Sequence, residues 1–218
     1  VTESVRKRVL TAVVLAAALV VIVLWLPPAA TVVVLTALLL AGAWEWSAFL
    51  RLSTATRRLT YVALVALLLP LAWHVSADPE GRALILLAAV LWWLTAFMWI
   101  AFAPGRVTPW AAGVAGVLAL VPAWLALVWL RLAPPHGQWV LFTLILVWVA
   151  DIGAFFAGRR FGRIRLAPAV SPGKTWEGVL GGVALSALIA IGGSAWFHVS
   201  LAVFLPLCLA TVAFSVIG

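Results

Sequence analysis

Charge is what this sequence has least of. Only 9% of its 218 residues are charged, against the roughly 25% of an ordinary soluble domain. With 67% hydrophobic residues there is too little polar surface to solvate a globule, so lipid must be the solvent for most of the chain. Disordered chains are poor in apolar residues, so disorder is excluded by the same numbers. The single cysteine, Cys208, lies in an apolar run and cannot form an intramolecular disulfide. Acidic residues are scarcer still: six, against 14 Lys and Arg. A net charge of +8 is compatible with nucleic-acid binding, but the placement of the charges decides against it.

The apolar residues form long runs. A membrane span needs roughly 20 mostly apolar residues, and inside hydrocarbon only helices or closed barrels satisfy the backbone. These runs show no apolar/polar alternation, so barrel strands are excluded. The expected fold is an all-α polytopic integral membrane bundle of about eight helices, forming a single transmembrane domain over 1–218. Their expected positions are 9–26, 29–50, 59–77, 83–103, 109–130, 138–157, 176–196 and 199–217. Pro27-Pro28, Asp78-Pro79-Glu80-Gly81, Pro104-Gly105 and Pro134-Pro135 separate several of them. The first run follows Arg6-Lys7-Arg8 and ends at Trp25-Leu26-Pro27-Pro28 rather than at a small-residue cleavage site. It reads as a first transmembrane helix, not as a signal peptide.

Helix counting sorts the cations. Arg6, Lys7, Arg8, Arg51, Arg57, Arg58, Arg106, Arg159, Arg160, Arg163, Arg165 and Lys174 fall on one side, and only Arg82 and Arg131 on the other. The positive-inside rule makes the rich side, with the N-terminus, cytoplasmic. Trp25, Trp46, Trp110, Trp129, Trp139 and Trp176 stand near helix ends and read as interfacial anchors. His74, His136 and His198 lie on the outer side in separate loops and do not form a metal site.

Three acids stand within or at the edge of spans: Glu45, Asp151 and Glu177. An ionisable group there costs roughly 2–3 kcal/mol near a helix centre and is a functional candidate by default. Glu45 can instead reach the interface or pair with Arg51. Asp151 lies seven residues before Gly158, hence about 10 Å deeper along the helix. It either pairs with another helix or faces a wet cavity and binds a cation.

The segment that follows, 158–175, is expected as a basic cytoplasmic loop. Topology and contact with anionic lipid account for the cations. They do not account for Ser171-Pro172-Gly173-Lys174-Thr175 just before a helix start, where free backbone N–H groups favour a phosphate. A P-loop needs a glycine where Pro168 stands, and a preceding strand, so that motif is rejected. Gly178 and Gly182 form a small-xxx-small face for helix packing, within a protomer or between protomers.

From Asp151 to Gly182 the sequence resembles the bacterial phosphatidate cytidylyltransferases, the CDP-diacylglycerol synthases. The resemblance is carried by Asp151-Ile152-Gly153-Ala154-Phe155-Phe156, Gly158-Arg159-Arg160-Phe161-Gly162, Leu166-Ala167-Pro168, Ser171-Pro172-Gly173-Lys174-Thr175-Trp176-Glu177-Gly178 and Gly181-Gly182. Glu45-Trp46 and Arg6-Lys7-Arg8 also look like family features. The family commonly has a cation or Asn where Gly173 stands. Its C-terminal catalytic signature would follow Ile217-Gly218, so the resemblance implies a truncated member. Further implications are transfer of a cytidylyl group from CTP to phosphatidate, in a multi-pass protein of the bacterial inner membrane. Asp151, Lys174 and Glu177 would be catalytic, and Ser171, Thr175, Arg159, Arg160, Arg163 and Arg165 would bind substrate. Asp151 would hold Mg²⁺ or another divalent cation, with the remaining ligands beyond Gly218. The expected partners are CTP, phosphatidate and membrane lipid, with no nucleic acid and with a homodimer possible. A CTP-dependent polyprenol or phytol kinase, a transporter using Asp151, and a non-catalytic scaffold are the alternatives.

Overall fold

The computed structural model describes residues 3–102, 107–167 and 171–217. Arg106, Pro168 and Gly218, each of which figured in the sequence reading, lie outside the described residues. The helices are α1 (Glu3–Trp25), α2 (Pro28–Trp46), α3 (Ala55–Ser76), α4 (Pro79–Phe102), α5 (Pro109–Leu132), α6 (Gln138–Phe161), α7 (Trp176–Phe197) and α8 (Leu201–Ile217). A one-turn 3-10 helix, Ser47–Leu50, continues α2, so the expected 29–50 helix changes its winding near its end. A hairpin of β1 (Arg165–Ala167) and β2 (Ser171–Thr175) stands between α6 and α7.

Local chemistry sets these starts. Pro28 and Pro109 open α2 and α5, where the missing N–H has no intrahelical partner to lose. Thr54, Thr108 and Thr175 cap α3, α5 and α7, each accepting from an N–H three residues on. Pro70, Pro122 and Pro206 stand inside helices, as neighbouring helices in a membrane allow.

Six helices among the described residues are long and apolar enough to cross a membrane: those starting at Pro28, Ala55, Pro79, Pro109, Gln138 and Trp176. All eight expected helices are present. The apolar parts of α1 and α8, Leu10–Trp25 and Leu201–Ser215, are shorter. The chain is an all-α polytopic membrane protein with a small hairpin added. Large apolar side chains are exposed along its helices, among them Leu67 at 71%, and no residue of α4's most apolar window is buried. In water such surface would aggregate; in a bilayer it is solvated.

The chain divides into two compact units, Val1–Trp92 with Val107–Leu141, and Trp93–Arg106 with Phe142–Gly218. The boundaries fall inside α4 and α6. In the first unit α2, α3 and α5 pack around Val65, Leu69, Leu125 and Val128. Hydrogen bonds from aromatic side chains lace this core. Trp46 Nε1 donates to the Ala112 carbonyl (2.8 Å) and Tyr61 Oη to the Gly113 carbonyl (3.0 Å). Trp124 Nε1 donates to Thr36 Oγ1 (2.8 Å) and Trp129 Nε1 to Ser76 Oγ (3.2 Å). Trp46 and Trp129, both near helix ends and partly buried, thus also donate to a neighbouring helix. Trp25, Trp110 and Trp176 are all more than half exposed.

At the basic end of this unit Arg58 ties α3 to the end of α2. Its Nε donates to Ser47 Oγ and its Nη2 to the Trp44 carbonyl, both at 2.7 Å, with the guanidinium 4.3 Å from the Trp44 ring centre. Glu45 is exposed, and no ion pair joins it to Arg51, which caps the 3-10 turn in a left-handed conformation.

Gly116 marks a close approach of helices in this unit: a Cβ there would strike Tyr61 Oη and the Trp46 ring. Gly116→Val is expected to lower stability by about 1–3 kcal/mol, the usual effect of overpacking. Gly42→Ala and Gly192→Ala, which meet nothing within 4 Å, should leave it unchanged. Thermal unfolding in detergent compares the three.

Candidate active site

The second unit is built on a contact of backbone against backbone. A Cβ added at Gly153 on α6 would lie 2.7 Å from the Gly181 carbonyl oxygen on α7. One at Gly178 would lie 2.9 Å from the Ala154 carbonyl oxygen, and one at Gly182 2.8 Å from that of Ala150. A Cβ on Gly181 would strike the Ala157 methyl group. Small residues on both helices let the axes approach as no larger residue would. Gly178 and Gly182 are thus used within the protomer, which closes that alternative. Farther along, Phe142 packs against Phe197 and Phe204 at 5.4 and 5.1 Å between ring centres.

α6 does not stop at 157. It continues through Arg159 and Arg160 to Phe161, so the expected loop is in fact a helix end followed by a hairpin. Cations suit the last turn of a helix, where the carbonyl ends collect negative potential. Gly162 follows, its N–H donating to the Gly158 carbonyl at 2.9 Å. The strands pair antiparallel, Arg165 with Thr175 and Ala167 with Ser171, with an irregularity between.

Thr175 is the keystone of the turn into α7. It is extended (φ −128°, ψ 154°), and its Oγ1 accepts from the Gly178 N–H at 3.2 Å. Cβ atoms on Gly158, Gly162 and Gly178 would come within 3.1, 3.0 and 3.2 Å of that oxygen. Three glycines therefore make the space that Thr175 occupies.

Above this turn lies an open cavity of about 430 Å³. Asp151, Ala154, Phe155, Gly158 and Arg159 line it from α6, Gly173, Lys174 and Thr175 from β2, and Gly178 and Val179 from α7. The α6 residues recur at three- and four-residue intervals, the stripe that one helical face presents. A volume of that size falls within the range of small-ligand sites, about 300–1,000 Å³. Asp151 is exposed to the cavity, and no described residue forms a hydrogen bond or ion pair with its carboxylate. Of the two readings left open for Asp151, the structure takes the cavity. A Cβ on Gly173 would meet nothing within 4 Å, so a larger side chain there would have room.

The structure brings together Asp151, Arg159, Lys174 and Thr175 among the expected site residues. The others stand apart from the lining. Ser171 pairs with Ala167 in the hairpin, and the Arg165 guanidinium donates to the Pro172 carbonyl. Arg160 and Arg163 are exposed. The Glu177 carboxylate accepts from the Ile164 N–H, at 3.2 Å to Oε1 and 3.3 Å to Oε2. Sequence reasoning missed Phe155, Gly158 and Val179 as lining residues. Their only signal was helical spacing from Asp151 and from the start of α7.

A family model described as the cytidylyltransferase family matches residues 6–218. A phosphatidate cytidylyltransferase of Pseudomonas aeruginosa is 36% identical, over 82% of this chain and 66% of its own length. One from Haemophilus influenzae is 33% identical, over 98% of this chain and 83% of its own length. One from Brucella suis is 41% identical over 36% of this chain and 31% of its own length. No solved structure matches.

The cap makes a prediction about α7. Thr175→Val keeps the shape but removes the oxygen that accepts from Gly178, and should cost about 1 kcal/mol. Thr175→Ser should restore most of it. Melting temperatures of the two variants in one detergent give the comparison.

Proposed function

The chain belongs to the cytidylyltransferase family, and we propose that it transfers the cytidylyl group of CTP to phosphatidate in the cavity lined by α6, β2 and α7. The products are CDP-diacylglycerol and pyrophosphate. The observation that carries the reading is the convergence of Asp151, Arg159 and Lys174 on one open cavity beside the start of α7. The relatives at 33–36% identity are named phosphatidate cytidylyltransferases, which supports the reading.

In this reaction a phosphate oxygen of the lipid attacks the α-phosphorus of CTP, a new P–O bond forms, and the bond to pyrophosphate breaks. Both reactants are anions. Neutralising their charge, and the charge that builds on the leaving pyrophosphate, is therefore the main task of the site. Arg159 at the end of α6 and Lys174 on β2 both line the cavity, suited to hold the phosphates of the two substrates. The α7 start adds a positive dipole end. Phe155, 58% exposed and paired edge-on with Phe156, gives the cavity an apolar margin suited to an acyl chain. Ser171, Arg160, Arg163 and Arg165 act farther out, drawing anionic substrate to this end of the bundle.

A divalent cation such as Mg²⁺ fits the donor set in part. Mg²⁺ is commonly held by one or two carboxylates together with substrate phosphates, and Asp151 supplies one unpartnered carboxylate in the cavity. Among the described residues no group of three His, Cys, Asp or Glu side chains gathers around it. When bound, the cation would offset phosphate charge and polarise the attacked phosphoryl group. Asp151 itself keeps a negative group fixed at the inner end of the cavity. The basic end and the N-terminus would face the cytoplasm of a bacterial inner membrane, which puts the cavity in reach of both CTP and a membrane lipid.

The test is product analysis with purified protein in detergent, given CTP, phosphatidate and Mg²⁺. Release of pyrophosphate that requires phosphatidate is expected; release of CDP would mark γ-phosphoryl transfer and overturn the reading. Lys174→Ala and Asp151→Asn should each lower turnover by roughly 100-fold, the usual effect of removing one group that stabilises transition-state charge.

A further inference from the structure

We infer that Glu177 is a positioning residue: its carboxylate grips the Ile164 amide and so holds the hairpin, with Lys174, over the cavity. The inference rests on the functional reading above and specifies how that site is kept in register.

Glu177 occupies the first turn of α7, where a carboxylate is favoured by the helix dipole. It could have pointed into the cavity, and it does not line it. Both carboxylate oxygens instead turn to the backbone: the Ile164 N–H lies 3.2 and 3.3 Å away, and the N–H groups of Arg163 and of Glu177 itself also act on the carboxylate. The Ile164 carbonyl is taken as well, by the Trp176 N–H at 2.9 Å. Consecutive residues at the start of α7 therefore hold both backbone groups of a single residue. Ile164 stands just after α6 has ended and just before Arg165 opens β1. Its side chain is 63% exposed, so burial does not fix it in place.

The hairpin needs such a hold. Its strands have three and five residues, and the pairing is irregular between Arg165 and Ala167. A lone two-stranded hairpin of this size is marginal in water. Lys174 is displayed on β2, one residue before the cap, so a hairpin that swings also swings Lys174. A carboxylate bonded to an amide through the charged form is worth more than a neutral pair, and it ties the hairpin base to a helix already anchored by glycine packing. A carboxylate turned into the cavity would instead stand with Asp151 against incoming polyphosphate. The arrangement thus keeps a negative group near the site while directing its charge at the backbone.

The experiment measures amide exchange at Ile164 together with steady-state kinetics in Glu177→Ala and Glu177→Gln. Glu177→Ala should lose at least roughly 10-fold in protection of that amide, as removal of a hydrogen bond to a charged group implies. Its KM for CTP should rise more than its kcat falls, because the grip of Lys174 is what loosens. Glu177→Gln keeps an acceptor oxygen and should restore both protection and KM to within a few-fold of the parent. Unchanged protection in Glu177→Ala would overturn the proposal. So would a Glu177→Gln protein that keeps the protection yet is as inactive as Glu177→Ala, since a carboxylate acting on substrate would then be required. If the parent protein itself turns over no CTP, the functional reading falls, while amide exchange still decides whether the clamp exists.

Discussion

The contact of α6 with α7 through Ala150, Gly153, Ala154, Ala157 and Gly158 against Gly178, Gly181 and Gly182 is the interaction on which the site depends. In lipid there is no hydrophobic drive to bring two apolar helices together, so close packing must supply the association. Removing side chains from both surfaces lets the backbones meet. The same glycines then do a second thing. Gly158 and Gly178, with Gly162, leave the pocket that Thr175 Oγ1 fills, so the cap of α7 is lodged against the end of α6. From that point β2 departs with Lys174, and Asp151 lies on the neighbouring stripe of α6. Helix packing, capping and placement of charge are consecutive consequences of one steric choice.

The bilayer imposes the other constraint, that no polar group be left without a partner. In the first unit the indoles of Trp46, Trp124 and Trp129 and the Tyr61 hydroxyl are each spent on a carbonyl or hydroxyl of a neighbouring helix. Such bonds average well under the strength once expected of them in membranes, about 0.6 kcal/mol each, so their role is to choose which faces meet. Arg131, through Nε and Nη1, and Ser186, through Oγ, are buried without a hydrogen-bond partner, and Asp151 departs from this economy in another way, through an exposed carboxylate. It sits well inside α6, and its carboxylate has no partner among the described residues. An ionisable group inside a span is a functional candidate by default, and the proposed function uses this one in that way.

Much of this was readable from the residues alone. The spans follow from apolar run length, and the basic end from the order of Arg and Lys along the chain. Asp151 stands out because a lone acid in a span is expensive, and its cavity was one of two outcomes that argument allowed. What could not be read is which polar groups of the Ser171–Glu177 run are ligands and which are carpentry. A threonine before a helix is both a phosphate donor and an N-cap, and a glutamate in a first turn is both a candidate base and a clamp. The choice depends on where α6 ends, and that end was placed at 157 because Gly158 and two arginines look like a loop. The helix in fact absorbs Arg159 and Arg160 in its last turn. This moves Arg159 onto the cavity stripe and shortens the loop into a hairpin. The tryptophan hydrogen bonds were missed for a related reason: position near a helix end does not reveal which way the ring faces.

The imbalance of 14 basic against six acidic residues then acquires a physical meaning beyond orientation. A protein can neutralise its surface cations internally by pairing them with acids. Here the only acids in the stretch from α6 to the start of α7 are Asp151, turned to the cavity, and Glu177, turned to a backbone amide. With Arg159, Arg160, Arg163, Arg165 and Lys174 against these two acids, that end keeps a net positive charge. Fields of this kind raise the local concentration of anions and fall off within about 10 Å at moderate salt. Both substrates of a cytidylyl transfer to a lipid phosphate are anions, one approaching through water and the other along the bilayer. A basic helix end and hairpin standing at the membrane surface, above a cavity with an aromatic margin, meet both approaches with the same charges. Under the proposed function, the scarcity of acids at this end is therefore part of how the site would work.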